Sequence, residues 1–285
     1  MALARNRPAM ILAVLLAGSL ALLAMRLGLF EPSPPGGVVE EPCPQVDQSQ
    51  LGQVIATITG RASRQRMRDW GSLCAYGPGN AERLARGPVE TVMIGDSITA
   101  QWQAADPELF AGTIVNRGIG GQTSPQVLLR FYPDAIALRP RVIHLIIGIN
   151  DLYGLRGPTT AEAVRNNIRA MADIAQANRT ALVLGSINPV RTSKDQPRPD
   201  SAGQIVQFNR WLRGLAAERN IVFADYHAVL SEPSGELKAA FTEDGVHLNE
   251  AGYAAMRPVL DAALEKATAA IDNQGGQTDS TGQMR

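Results

Sequence analysis

The chain of 285 residues has only two cysteines, Cys43 and Cys74, and three histidines, His144, His227 and His247. The histidines are scattered and no Cys-His cluster at ligand spacing occurs, which argues against a structural or catalytic zinc site. No metal and no other cofactor is expected. An excess of one charge is also missing: Lys+Arg and Asp+Glu number 27 each. Nucleic-acid binders concentrate positive charge to displace counterions, so nucleic acid is not an expected partner. One basic cluster, Arg61, Arg64, Arg66 and Arg68, is followed by Asp69 and reads as a solvated helix face. Internal repeats are absent. What remains is ordinary for a globular chain able to bury a core, with 45% hydrophobic and 19% charged residues.

The ends depart from this average. Arg5 and Arg7 precede residues 9–25, a run without charge, and Arg26 precedes a last apolar stretch to Phe30. A positive flank before such a run is an export-signal pattern, and about 20 apolar residues span a bilayer. Residues 1–30 are therefore expected to be a signal anchor, or else a signal peptide that is removed. The membrane is then a partner through this segment, and the rest of the chain lies outside the cytoplasm. Residues 31–45 are a Pro-rich spacer, 46–88 a helical lead-in, 89–268 the main domain and 269–285 a polar, disordered tail. In an exported chain Cys43 and Cys74 are expected to pair, tying the spacer to a helix around Trp70.

Within 89–268, apolar runs alternate with helical patterns. Strands are expected at residues 89–94, 113–116, 142–147, 181–187 and 221–225. The run RVIHLIIG suits a strand buried on both faces. Thr159 and Glu162 form a capping-box pair before Val164, Ile168, Met171 and Ala175, which recur at helical spacing. Further helices are expected at 204–219 and 250–267. Such alternation predicts an α/β fold with a parallel sheet, helices on both faces and functional groups beyond the C-terminal strand ends.

The first strand runs straight into GDS, with Ser97 at the start of a helix. A hydroxyl there suits a nucleophile, although Ser or Asp at a helix start is more often a simple cap. The G-x-S-x-G elbow is absent, since Thr99 stands two residues after Ser97. Near the other end, EDGVHLNEAGY places Asp244 three residues before His247 across Gly245. That spacing lets a carboxylate hold one imidazole nitrogen while the other faces outward, as a Ser-His-Asp system requires. His144 inside the third strand reads as a core histidine, and His227 after the fifth is a distant second choice of base. Donors for a tetrahedral oxyanion are sought in NRGIGGQTS after the second strand and GIND after the third, with Asn150 in the latter. The glycine-rich loop lacks the spacing of a P-loop or a dinucleotide turn.

GDSIT, NRGIGGQTS, GIND and DGVHLNEAGY together resemble, in order and spacing, the four signature blocks of the SGNH/GDSL hydrolases. The resemblance implies a flavodoxin-like three-layer α/β/α sandwich on a five-stranded parallel sheet. It also implies Ser97 as nucleophile with His247 and Asp244 as partners. The oxyanion donors would be the amides of Ser97 and Gly121 and the side chain of Asn150. Gly121, before Gln122-Thr123, matches the block better than Gly120. The family often carries Asp where this chain has Gln122, which bears on loop support.

The expected activity is a serine esterase acting on a small acyl ester, for example O-acetyl on carbohydrate. Alternatives using the same residues are a polysaccharide O-acyltransferase and a lysophospholipase or thioesterase. A non-catalytic envelope-binding module is the alternative from another class.

Overall fold

The computed structural model describes Cys43 and residues 69–192 and 201–280, the last without the side chains of residues 201 and 274–280. Its apolar runs form five parallel strands: β1 (Thr91–Gly95), β2 (Ile114–Gly118), β3 (Val142–Ile146), β4 (Ala181–Gly185) and β5 (Val222–Ala224). Their order is β2-β1-β3-β4-β5. Every residue of β1 and β3 is buried, which explains why neither shows apolar-polar alternation. The chain leaves β1 toward β2 on one side and returns to β3 on the other. The crevice of an open α/β sheet forms at such a reversal.

Eight helices accompany the strands among the described residues: α1 (Gly77–Ala85), α2 (Ser97–Ala105), α3 (Ser124–Asp134), α4 (Ile149–Leu152), α5 (Ala161–Ala177), α6 (Ser201–Glu218), α7 (Tyr226–Leu230) and α8 (Glu250–Ser280). Val127 and Phe131 of α3, Ile168 and Met171 of α5 and Phe208 and Leu212 of α6 pack with Val92, Ile94, Ile143 and Leu145. Ile98 and Trp102 of α2 and Tyr253, Met256 and Leu260 of α8 pack with Met93, Val142 and Val183. Alternate residues of β1 thus serve opposite cores, the period-two geometry of a strand between two helical layers. The expected α/β/α sandwich is observed.

Several local expectations shift. The cap of α5 is Thr160, not Thr159: Thr160 is extended and its hydroxyl accepts the Ala163 amide at 3.1 Å. Glu162 pairs instead with Arg169 at 2.9 Å. The helix α8 continues to Ser280, through much of the segment assigned to a tail. Ala263, Ala267 and the partly buried Ile271 prolong its apolar stripe at four-residue intervals. The chain around Trp70 forms turns, and helix begins only at Gly77, with Pro78 in its first turn.

The chain divides into two compact units, Met1–Cys74 and Ala75–Arg285. In the first unit Cys43 and Cys74 form the expected disulfide. Asp69 accepts the amides of Leu73 and Cys74. The expected anchor at 1–30, the spacer apart from Cys43, and the basic cluster at 61–68 lie outside the described residues. Among the described residues no helix is long and apolar enough to cross a membrane.

Candidate active site

Where β1 ends, Asp96 caps α2 by accepting the Ile98 amide at 3.0 Å, and Ser97 is the first helical residue. The cap and the presented hydroxyl are therefore neighbouring residues with separate tasks. Ser97 Oγ lies 3.1 Å from His247 Nε2, across 150 positions of sequence. His247 Nδ1 lies 2.7 Å from Asp244 Oδ2. The other carboxylate oxygen, Oδ1, accepts the amides of Val246 and His247, both at 2.8 Å. Partial burial pushes the Asp244 carboxyl up, but the His247 side chain and these amides outweigh it and hold it at about 2. Asp244 is thus a carboxylate at any ordinary pH.

Gly245 makes this turn possible. Its φ is +80°, and a Cβ there would stand 2.5 Å from the Arg191 carbonyl oxygen. Its own carbonyl accepts the Arg191 amide at 2.8 Å, which straps the turn to the segment after β4. Its amide donates to Thr242 Oγ1 at 2.9 Å.

The loop after β2 turns at residues 119–122, closed by Gln122 N–H on Ile119 C=O at 3.4 Å. Gly121 has φ +72°, the left-handed conformation such a turn asks of its third residue. Gly120 faces Ser97: a side chain there would meet Ser97 Cβ at 3.9 Å. Asn150, in the short helix α4 that follows β3, donates one Nδ2 hydrogen to the Gln122 carbonyl at 2.8 Å. A side-chain amide carries two N–H donors, and this bond uses one of them. Next to it, buried Asp151 accepts the Ser124 amide at 2.9 Å and the Ser124 hydroxyl at 2.7 Å. Burial pushes the Asp151 carboxyl up, against the pull of these bonds. Ile119 N–H donates to Gly95 C=O at 3.1 Å, tying the β2 loop to the end of β1. Ser97, His247 and Asp244 are thus in direct contact, and Asn150 is tied to the loop that holds Gly121 through the Gln122 carbonyl.

The remaining histidines stand elsewhere. His144 is fully buried, with Nε2 2.7 Å from the Tyr226 hydroxyl, and burial pushes it down to about 3, so it is neutral. The partners of His227 are Ser231, 3.0 Å from Nδ1, and Ser186, whose hydroxyl accepts its amide at 2.8 Å. The Ser97 hydroxyl goes to His247 instead. Among the described residues no three His, Cys, Asp or Glu side chains group as metal ligands would.

Sequence reasoning passed over Asp151, Ser124 and Arg130, all buried at the rim of the same loops. Asp151 was in view as the last letter of GIND. Arg130 had a subtler signal, since it shares the inward stripe of α3 with Val127, Phe131 and Asp134.

Comparison with known proteins identifies the family. A family model described as "GDSL-like Lipase/Acylhydrolase family" matches residues 93–255. An acetylxylan esterase of Geobacillus stearothermophilus is 30% identical over 157 residues, covering 53% of this chain and 71% of that protein. The crystal structure of a GDSL-like lipase from Bacteroides thetaiotaomicron superposes with a TM-score of 0.64 at 31% identity, covering 69% of this chain and 98% of the other. An acetyl xylan esterase structure from Geobacillus stearothermophilus, 23% identical, shares the fold with a TM-score of 0.51 over 62% of this chain and 95% of its own. The chain belongs to the GDSL-like lipase/acylhydrolase family, the SGNH/GDSL hydrolases, and is a carboxylic-ester hydrolase.

Proposed function

We propose that this esterase removes acetyl or another short acyl group from carbohydrate through a Ser97-His247-Asp244 triad. The observation that carries the reading is the unbroken set of contacts from Asp244 through His247 to Ser97, at 2.7 and 3.1 Å. Ser97 Oγ attacks the ester carbonyl carbon while His247 Nε2 takes its proton. Asp244 holds the imidazole by Nδ1 and stabilises its cationic form. The oxyanion is received by the amides of Ser97 and Gly121 and by the second Nδ2 hydrogen of Asn150. His247 then protonates the departing alcohol, leaving an acyl group on Ser97. Water, activated by His247, attacks that acyl-enzyme and restores the serine as the carboxylic acid departs.

The carbohydrate ester follows the named activity of the Geobacillus relative. A site outside the cytoplasm is supported by the Cys43–Cys74 disulfide, a bond typical of oxidising compartments. The test is an ester panel: p-nitrophenyl acetate, butyrate and octanoate, and acetylated xylan with and without a free sugar acceptor. Acetate is expected to exceed octanoate in kcat/KM by about tenfold or more, with the acyl group released to water. Preference for octanoate would turn the reading toward lipid esters, and transfer to the sugar would make the protein an acyltransferase.

A further inference from the structure

Arg130 lies on α3 with no exposed surface. Its Nε donates to Gln122 Oε1 at 2.6 Å, and its Nη2 to the Gly95 carbonyl at 2.9 Å. Its Nη1 donates to the Arg117 carbonyl at 2.7 Å and, more distantly, to Asp134 Oδ2 at 3.4 Å. The three short bonds end on three different parts of the site. Gly95 is the last residue of β1, two before Ser97. Arg117 is next to last in β2, ahead of the turn that holds Gly121. Gln122 follows Gly121 directly, and its carbonyl receives the Asn150 side chain at 2.8 Å. One planar cation therefore stands behind the segments that carry Ser97 and Gly121 and, through Gln122, behind the residue whose carbonyl holds the Asn150 side chain.

A buried ion pair is a poor device for stability alone, because apolar residues of similar volume commonly do as well or better. The Arg130–Asp134 contact is also the longest that Arg130 makes. Its shorter bonds go to carbonyl and amide oxygens at the C-terminal edge of the sheet. Only a guanidinium reaches several acceptors in fixed directions at once, whereas lysine offers a point charge. Oxyanion donors work only when held within about 0.5 Å of the productive geometry, which loops alone achieve badly.

We propose that Arg130 is a positioning residue that sets the spacing of the Ser97 amide, the Gly121 amide and the Asn150 side chain around the developing anion. The inference rests on the triad and oxyanion reading of the same site. That reading is tested separately by Ser97→Ala, which must lose turnover and active-site labelling whatever Arg130 does.

The experiment measures kcat, KM and thermal unfolding of the full chain with p-nitrophenyl acetate. The variants are Arg130→Met, Arg130→Lys and the double variant Arg130→Met/Asp134→Leu. The double variant removes the carboxylate left unpaired in Arg130→Met and is expected to recover part of the unfolding temperature lost there, the rest being lost with the bonds to the Gly95, Arg117 and Gln122 oxygens and from Asn80 to Asp134. Its kcat is nevertheless expected to stay about 10- to 100-fold below wild type, with KM within about threefold, because the donors rather than ground-state binding are disturbed. Arg130→Lys is expected to lose kcat to a similar degree. A double variant that regains both stability and kcat would show a purely structural role, and full activity in Arg130→Lys would overturn the proposal equally. If no Arg130 variant folds, Gln122→Leu decides the matter by removing the Nε acceptor. A kcat about tenfold lower at little-changed KM supports positioning, and unchanged kcat refutes it.

Discussion

On the side proposed to receive the anion, Asn150, Asp151 and Gln122 are only 8%, 4% and 1% exposed. On the acid-base side, the side chains of His247 and Asp244 are 37% and 53% exposed. The bonds that hold the donors also reach farther along the chain than the one that orients the base, although the base itself meets Ser97 across 150 positions. Ser124 to Asp151 and Asn150 to Gln122 span 27 and 28 positions, and Arg130 to Gly95 spans 35. Asp244 and His247 are three apart and organise each other within one turn. The contrast fits the chemistry proposed for each side. Donors that meet a developing charge must be fixed beforehand and shielded from water, where each is worth more. A base that passes protons to a departing alcohol and then draws them from water needs an open approach.

The contrast is sharpest in paired measurements of turnover and stability. Asp244→Asn should lower kcat by about 10³–10⁴-fold, since the imidazole loses the group that orients and stabilises its charged form. Because Asp244 is mostly exposed and Asn retains an acceptor for the two amides, the unfolding temperature should barely move. Parallel steady-state kinetics and thermal scans check both halves of that statement. Asn150→Ala should cost less turnover, about 10²–10³-fold in kcat. It should also destabilise the fold by roughly 1–3 kcal/mol, because the buried Gln122 carbonyl loses its donor. Equal destabilisation by the two substitutions would erase the distinction between the two sides.

The third prediction concerns Asp96, whose effect falls on stability and its pH dependence rather than on turnover. Burial pushes its carboxyl up to about 7, partly offset by the Ile98 amide that it accepts. Below the unfolded value of 3.8 the carboxyl is protonated in both states. As pH rises from there to about 7 the unfolded chain releases the proton while the folded chain keeps it. Asp96 therefore costs stability progressively across that window and no more above it. Asp96→Asn, which keeps the acceptor for Ile98, should gain on the wild type as pH rises from 4 to 7, by up to about 4 kcal/mol. Denaturant midpoints at pH 4, 5.5 and 7 read this directly, and a constant difference across the series would contradict it.

The parts of the molecule that the sequence made legible are those where one residue type and one neighbour decide the outcome. Ser97 at the mouth of β1, and Asp244 with His247 across Gly245, could be read because each lies in a short block with its own local geometry. The central strands were legible because β1 and β3 are buried along their whole length and almost entirely apolar, with Thr91 and His144 as the exceptions. Their ends moved by a few residues, since carbonyls such as Gly95 C=O find their partners in loops. Arg130 was not legible as part of the site: a lone arginine on an apolar helix stripe says that it is buried, not what it touches. The choice of Thr160 over Thr159 as a cap turned on backbone conformation, to which two adjacent threonines are equivalent in composition. The tail failed on composition alone, because the stripe through Ala267 and Ile271 carries α8 past the point where polar residues begin to dominate.

The most direct test is covalent. The wild-type protein and Ser97→Ala are treated with an organophosphonate and the adduct is located by peptide mass spectrometry. A single adduct on Ser97, absent from Ser97→Ala and strongly slowed in His247→Ala, is the predicted result. An adduct on another serine, or labelling that persists in Ser97→Ala, would contradict the assignment of the nucleophile.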